Sequence, residues 1–140
     1  MAVTSNYTQT RGWRNNNPLN IRHNKAFAWK GEELADNDGF CRFRNLICGL
    51  RAAICLIRSY NMRHRIYSVA EIINRFAPPS ENHTDQYIAF VCKRTGFQPT
   101  TIVKYNSEEC LVLLQAMAYY ESRMDVSMDK MKEAYLEVFR

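Results

Sequence analysis

Glu121 and Ser122 close an apolar run over residues 110–120 and lead into Arg123-Met124-Asp125-Val126-Ser127, whose composition reads as a turn. A carboxyl placed where an apolar helix meets a loop loses part of its hydration, which raises its pKa toward the range in which it can donate a proton. Glycosidic bonds are cleaved with such an acid. An ordinary surface glutamate at a helix end carries the same local pattern. A second carboxylate, to activate water or stabilise an oxocarbenium-like transition state, is available in the acidic stretch Glu32, Glu33, Asp36 and Asp38. Asp38 and Glu33 are the candidates there, and a solvated acidic turn is the competing explanation for each.

Sugar-binding side chains are present as well. The amides of Asn16, Asn17 and Asn20 offer donors and acceptors to N-acetyl and hydroxyl groups, and Trp13, Trp29 and Tyr60 offer faces on which a sugar ring can stack. Asn17 precedes Pro18, so a purely turn-forming role accounts for it equally well. The remaining reactive residue types point nowhere specific. His23, His64 and His83 lack metal-ligand spacing, and the five cysteines form no CxxC pair, so no metal and no cofactor is expected. An odd number of cysteines also argues against a disulfide framework; Cys48 and Cys55, seven apart among apolar neighbours, read as buried thiols.

The elements that must position these residues are mainly helical. Residues 1–10 are polar and read as a flexible arm ahead of a single domain over 11–140. Three asparagines before Pro18 oppose a regular helix, so 11–18 reads as an ordered loop. Aromatic pieces at 27–30 and 39–43, separated by acidic turn residues, predict a small hairpin with an acidic tip. Leu46, Leu50, Ala53, Ile54, Ile57 and Tyr60 recur at three and four, predicting an amphipathic helix over 46 to about 60. Ser68 followed by Glu71 has the spacing of a capping box, opening a helix that stops before Pro78-Pro79. Further helices are predicted over 84–94, ending at Gly96 and capped by Asn82 or Thr84, from Ser107 through Tyr119, and over 127–138. About five helices and one small β element result.

With 46% hydrophobic and 24% charged residues, the 140-residue chain has the composition of a globular domain. No apolar run approaches the ~20 residues of a bilayer span, so no membrane insertion is expected. Residues 1–12 lack the apolar stretch of a signal peptide, which predicts synthesis in the cytoplasm and another export route if the target lies in the periplasm or cell wall. The net charge of +5 suits an anionic partner. Its arginines form no dense run and no basic helix stands out, so nucleic acid is not expected as the partner.

The stretch Ala116-Met117-Ala118-Tyr119-Tyr120-Glu121-Ser122-Arg123-Met124-Asp125 resembles the catalytic helix of lysozyme-like lytic transglycosylases, with Arg123 and, further on, Val126 departing from the usual pattern. That resemblance implies that Glu121 is the general acid/base and that Ser122 positions the substrate or the carboxyl. A second resemblance runs through Arg14-Asn15-Asn16-Asn17-Pro18-Leu19-Asn20-Ile21-Arg22, Trp29-Lys30-Gly31, Gly49-Leu50-Arg51-Ala52 and Phe76-Ala77-Pro78-Pro79-Ser80-Glu81-Asn82-His83-Thr84. It is to small phage virion and prophage proteins described as structural or lysozyme-like. The same Asn-rich turn and hairpin also resemble flagellar-type glucosaminidases, in which they follow the glutamate helix. Here they precede it, so a circularly permuted lysozyme-like fold is expected, and it requires residues 17 and 121 to be neighbours. The implied activity is cleavage of peptidoglycan glycan strands, with phage virion or secretion components as carriers. The competing expectation is a non-catalytic virion or cell-wall-binding module of the same shape.

Overall fold

The computed structural model describes residues 10–140. Helix α1 (Arg11–Arg14) is followed by strands β1 (Glu32–Glu33) and β2 (Arg42–Phe43), and then by α2 (Leu46–His64), α3 (Val69–Phe76), α4 (Thr84–Thr95), α5 (Glu108–Ser122) and α6 (Met128–Val138). The fold is mainly α with one small antiparallel hairpin.

α5 is buried on nearly every side, from Cys110 through Leu113, Leu114, Met117 and Ala118 to Ser122, as expected of a helix whose apolar residues follow no single stripe. α2 and α6 pack on each other and on α5, α4 covers α5 from another side, and α3 packs on α4. Side-chain caps open the long helices: Asn45 accepts from Cys48 N, Ser107 from Cys110 N and Ser127 from Lys130 N, and Ser68 with Glu71 completes the capping box.

Four expectations need correction. α2 runs past Tyr60 to His64, because Asn61 is buried and anchors the extra turn: its amide donates to Ile66 O at 2.8 Å and its oxygen accepts from Tyr105 N at 2.8 Å. The first hairpin strand is Glu32–Glu33 rather than 27–30. Phe27 and Trp29 pack edge to face, and Glu32 N donates back to Trp29 O across a turn with Gly31 at φ 82°, so the aromatic piece ends before the strand begins. α4 has no side-chain cap; Asn82 donates to Pro78 O, and the Thr84 hydroxyl, buried, donates to Ala77 O. Finally, residues 11–14 form one helical turn, capped by Thr10, whose hydroxyl also donates to Ser122 O at 2.9 Å. Thr10 therefore belongs to the domain; the rest of the expected arm lies outside the described residues.

The Asn-rich segment is the joint of the fold. Asn16 and Asn20 both take left-handed backbone conformations, at φ 51° and 52°, which asparagine tolerates better than other residues that carry a Cβ. Asn17 is fully buried; its Nδ2 donates to Ile21 O and Cys41 O, and its Oδ1 accepts from Ile21 N. Asn17→Ala would strand two buried backbone groups at once, Ile21 N and Cys41 O, while Ile21 O keeps its bond from Cys41 N. We expect it to cost about 2–4 kcal/mol in urea unfolding; a loss below about 1 kcal/mol would show that the amide is not what holds the joint.

Candidate active site

The joint abuts the end of α5. The Ser122 hydroxyl donates to Pro18 O at 2.8 Å and the Asn20 Nδ2 donates to Glu121 O at 3.1 Å. Gly12 lies so close to Ser122 that a Cβ there would overlap its side chain. Residues 17 and 121 are thus neighbours in space although about a hundred residues separate them in sequence. Arg123 stops α5 in a left-handed conformation at φ 54°, with its N–H bonded to Tyr119 O, so Glu121 occupies the helix's last turn beside the joint.

Glu121 sits on the wall of a cavity of about 470 Å³ between the joint, the hairpin, α2 and the loop after α3. Burial raises its pKa above the ordinary value of 4.5; the Tyr87 hydroxyl and the Asn20 amide, both close by, oppose that rise without cancelling it. The Tyr87 hydroxyl and Asn20 Oδ1 are buried and reach no hydrogen-bond partner of good geometry. Buried polar atoms of this kind are uncommon, and these two lie close to the Glu121 carboxyl. Burial also pushes the Tyr60 hydroxyl up to about 12, so at neutral pH Tyr60 meets the cavity as a neutral donor. Arg22 stacks on Phe40 at 4.4 Å and brings a guanidinium to the same wall.

The structure therefore gathers Glu121, Asn20 and Tyr60 and separates them from the other candidates. Ser122 is fully buried and spends its hydroxyl on Pro18, so it positions the helix end rather than meeting a ligand. Asn16 donates to Phe43 O and ties the joint to β2, and Asn17 is wholly internal. Trp29 packs against Phe27 on the hairpin, away from the cavity lining. Asp38 pairs with Arg11 at 2.7 Å, and Glu33 lies exposed in β1; neither reaches the cavity. Asp36 is a turn-former: hydrogen bonds from Phe40 N–H, Asn15 and Asp38 N–H outweigh its partial desolvation and hold its carboxyl below the usual range.

Tyr87, Arg22 and Glu81 line or flank this site without having stood out in the sequence as ligand-binding. Tyr87 was legible in principle, since Thr84, Tyr87 and Val91 share the buried face of α4. Folding also brings His23, Glu32 and Cys41 together, with ligand atoms within 4.8 Å of one another. Burial works against the charge on Glu32, but bonds from Trp29 N–H, His23 and Cys41 hold its carboxyl below its usual pKa. Burial and that neighbouring charge push the Cys41 thiol up to about 12. The trio is a closed hydrogen-bond network that fastens the hairpin.

No protein-family model matches the chain. Over 115 residues, 80% of this chain and 71% of the relative, it is 37% identical to Protein P5 of Pseudoalteromonas phage PM2. The chain belongs to the family of Protein P5. That relative is a phage protein, and its name carries no activity, so what this member of the Protein P5 family does has to be argued from the cavity around Glu121.

Tyr87 offers a direct probe of that cavity. Its hydroxyl favours the charged form of Glu121, so Tyr87→Phe raises the Glu121 pKa further. If Glu121 acts as an acid, the alkaline limb of the pH–rate profile then moves to higher pH. A limb that stays in place, or moves to lower pH, would mean that Tyr87 does not tune the acid.

Proposed function

We propose that the chain cleaves the glycan strands of peptidoglycan, with Glu121 as the general acid. The observation that carries this reading is a single one: a carboxyl whose pKa burial raises, set on a cavity wall beside the Asn20 amide and the Tyr87 hydroxyl. A carboxyl whose pKa is raised is a better placed proton donor for the departing glycosidic oxygen. The Asn20 amide on the cavity wall suits the hydrogen-bonding groups of an N-acetyl sugar, and Tyr60 supplies a neutral donor and a ring edge. Arg22, cationic at the same wall, suits the carboxylates of the stem peptides that one of the two alternating wall sugars carries.

The lysozyme-like resemblance of the Glu-Ser helix supports the same assignment, and so does the contact between that helix end and the Asn-rich turn, the arrangement a circular permutation requires. A phage source for the relative fits delivery of a wall-cleaving domain by a virion, and action in the periplasm or wall. Purified peptidoglycan incubated with the protein is expected to release soluble muropeptides, whose masses and new ends name the bond cut. Binding to the wall without any release would replace this reading by that of a non-catalytic wall-binding module.

A further inference from the structure

We propose that Glu81 is the general base of the same reaction, activating the water that attacks the sugar, so that cleavage is hydrolytic and inverts the anomeric carbon. The inference rests on the reading of Glu121 as the acid. Two carboxylates line the cavity, Glu121 and Glu81, and their surroundings divide the labour. Glu121 is largely buried, which raises its pKa, whereas Glu81 is exposed to water on the loop between α3 and α4.

The Glu81 carboxylate is uncommitted: among the described residues it has no ion pair and no hydrogen bond. Glu32, Asp36, Asp38 and Glu71, by contrast, are all engaged in turns, caps or ion pairs. Nor is the loop slack. Glu81 N donates to Pro78 O at 3.0 Å, Asn82 Nδ2 donates to the same oxygen at 3.1 Å, and the Thr84 hydroxyl fastens the far side to Ala77 O. Pro78 and Pro79 have fixed φ, so the backbone that carries Glu81 at the cavity is well defined. A water-exposed, uncommitted carboxylate lining the same cavity as a buried acid is what an inverting glycosidase needs.

In the step, the glycosidic C1–O bond breaks as Glu121 gives its proton to the leaving oxygen. A water oxygen bonds to C1 from the opposite face, and its proton goes to Glu81. The products are a new hydroxyl on one sugar and a reducing end on the other. Solvent then returns the proton from Glu81 to Glu121, and no other reactant is consumed.

The test compares wild type, Glu81→Ala and Glu121→Gln on purified peptidoglycan, with and without sodium azide. Replacing an exposed, unpaired side chain should leave the melting curve unchanged, which checks that the Glu81 variant is folded. Glu81→Ala is expected to lose at least ~100-fold in rate. Azide, a small nucleophile needing no base, is expected to restore part of that rate and to yield a glycosyl azide of inverted configuration; Glu121→Gln gains nothing from azide. A smaller loss, no rescue, or 1,6-anhydro ends from the wild type would each remove Glu81 from this role while leaving Glu121 standing. No release by the wild type is a different result, which overturns the glycan reading and the base with it.

Discussion

Glu121→Gln is expected to abolish cleavage while making the protein harder to melt at neutral pH. An amide fills the same space but has no proton to give, so the acid's contribution, typically ~10²–10⁴-fold, is lost. The stability gain has an opposite cause. Because burial raises the Glu121 pKa, the folded chain holds that proton more tightly than the unfolded chain does, and stability falls as pH rises from the ordinary value of 4.5 through the folded pKa. Above that window the wild type carries a largely buried carboxylate at a free-energy cost; the glutamine variant does not. Its melting temperature should exceed that of the wild type by a few degrees at pH 7, and the two should converge below pH 4.5. Equal melting temperatures at every pH would mean that the carboxyl is not desolvated.

Gly49→Ala should be among the most damaging single substitutions outside the cavity. At an exposed helix position, replacing glycine by alanine stabilises by up to ~1 kcal/mol. Here the added Cβ would overlap the carbonyl oxygen of Asn16, a backbone atom that can yield only if the whole joint moves. Overpacking of this kind costs about 3 kcal/mol or more, so the sign reverses and a net loss of ~2 kcal/mol or more is expected. Since Asn16 and Asn20 flank the same turn, the displacement also draws Asn20 away from Glu121, and cleavage should fall with stability. Denaturant unfolding measures the first effect and muropeptide release the second; a stabilised variant would show that the contact between α2 and the joint is looser than described.

How much of this was legible follows from the range of the forces involved. Caps and periodicities act over three or four residues, so the starts of α2, α3, α5 and α6 could be read directly, as could the stop at Gly96. The C-terminal extension of α2 could not, because Asn61 is held by Val103 and Tyr105 from another part of the chain. The asparagines show the same division. Their types announced special backbone geometry and sugar-like hydrogen bonding together, and only folding separates Asn17, consumed by Ile21 and Cys41, from Asn20, left open beside Glu121. Glu121 was visible because an apolar helix ends on it. Glu81 was hidden, since Pro78-Pro79 and Asn82 explain that loop as a turn, and nothing local says that it overhangs a cavity.

The central claim is that the Glu121 carboxyl cleaves glycan strands. Digestion of purified peptidoglycan by wild type and by Glu121→Gln, matched for folding by circular dichroism, tests it most directly. Soluble muropeptides from the wild type and none from the variant is the predicted result; equal release by both, or release by neither, would contradict it.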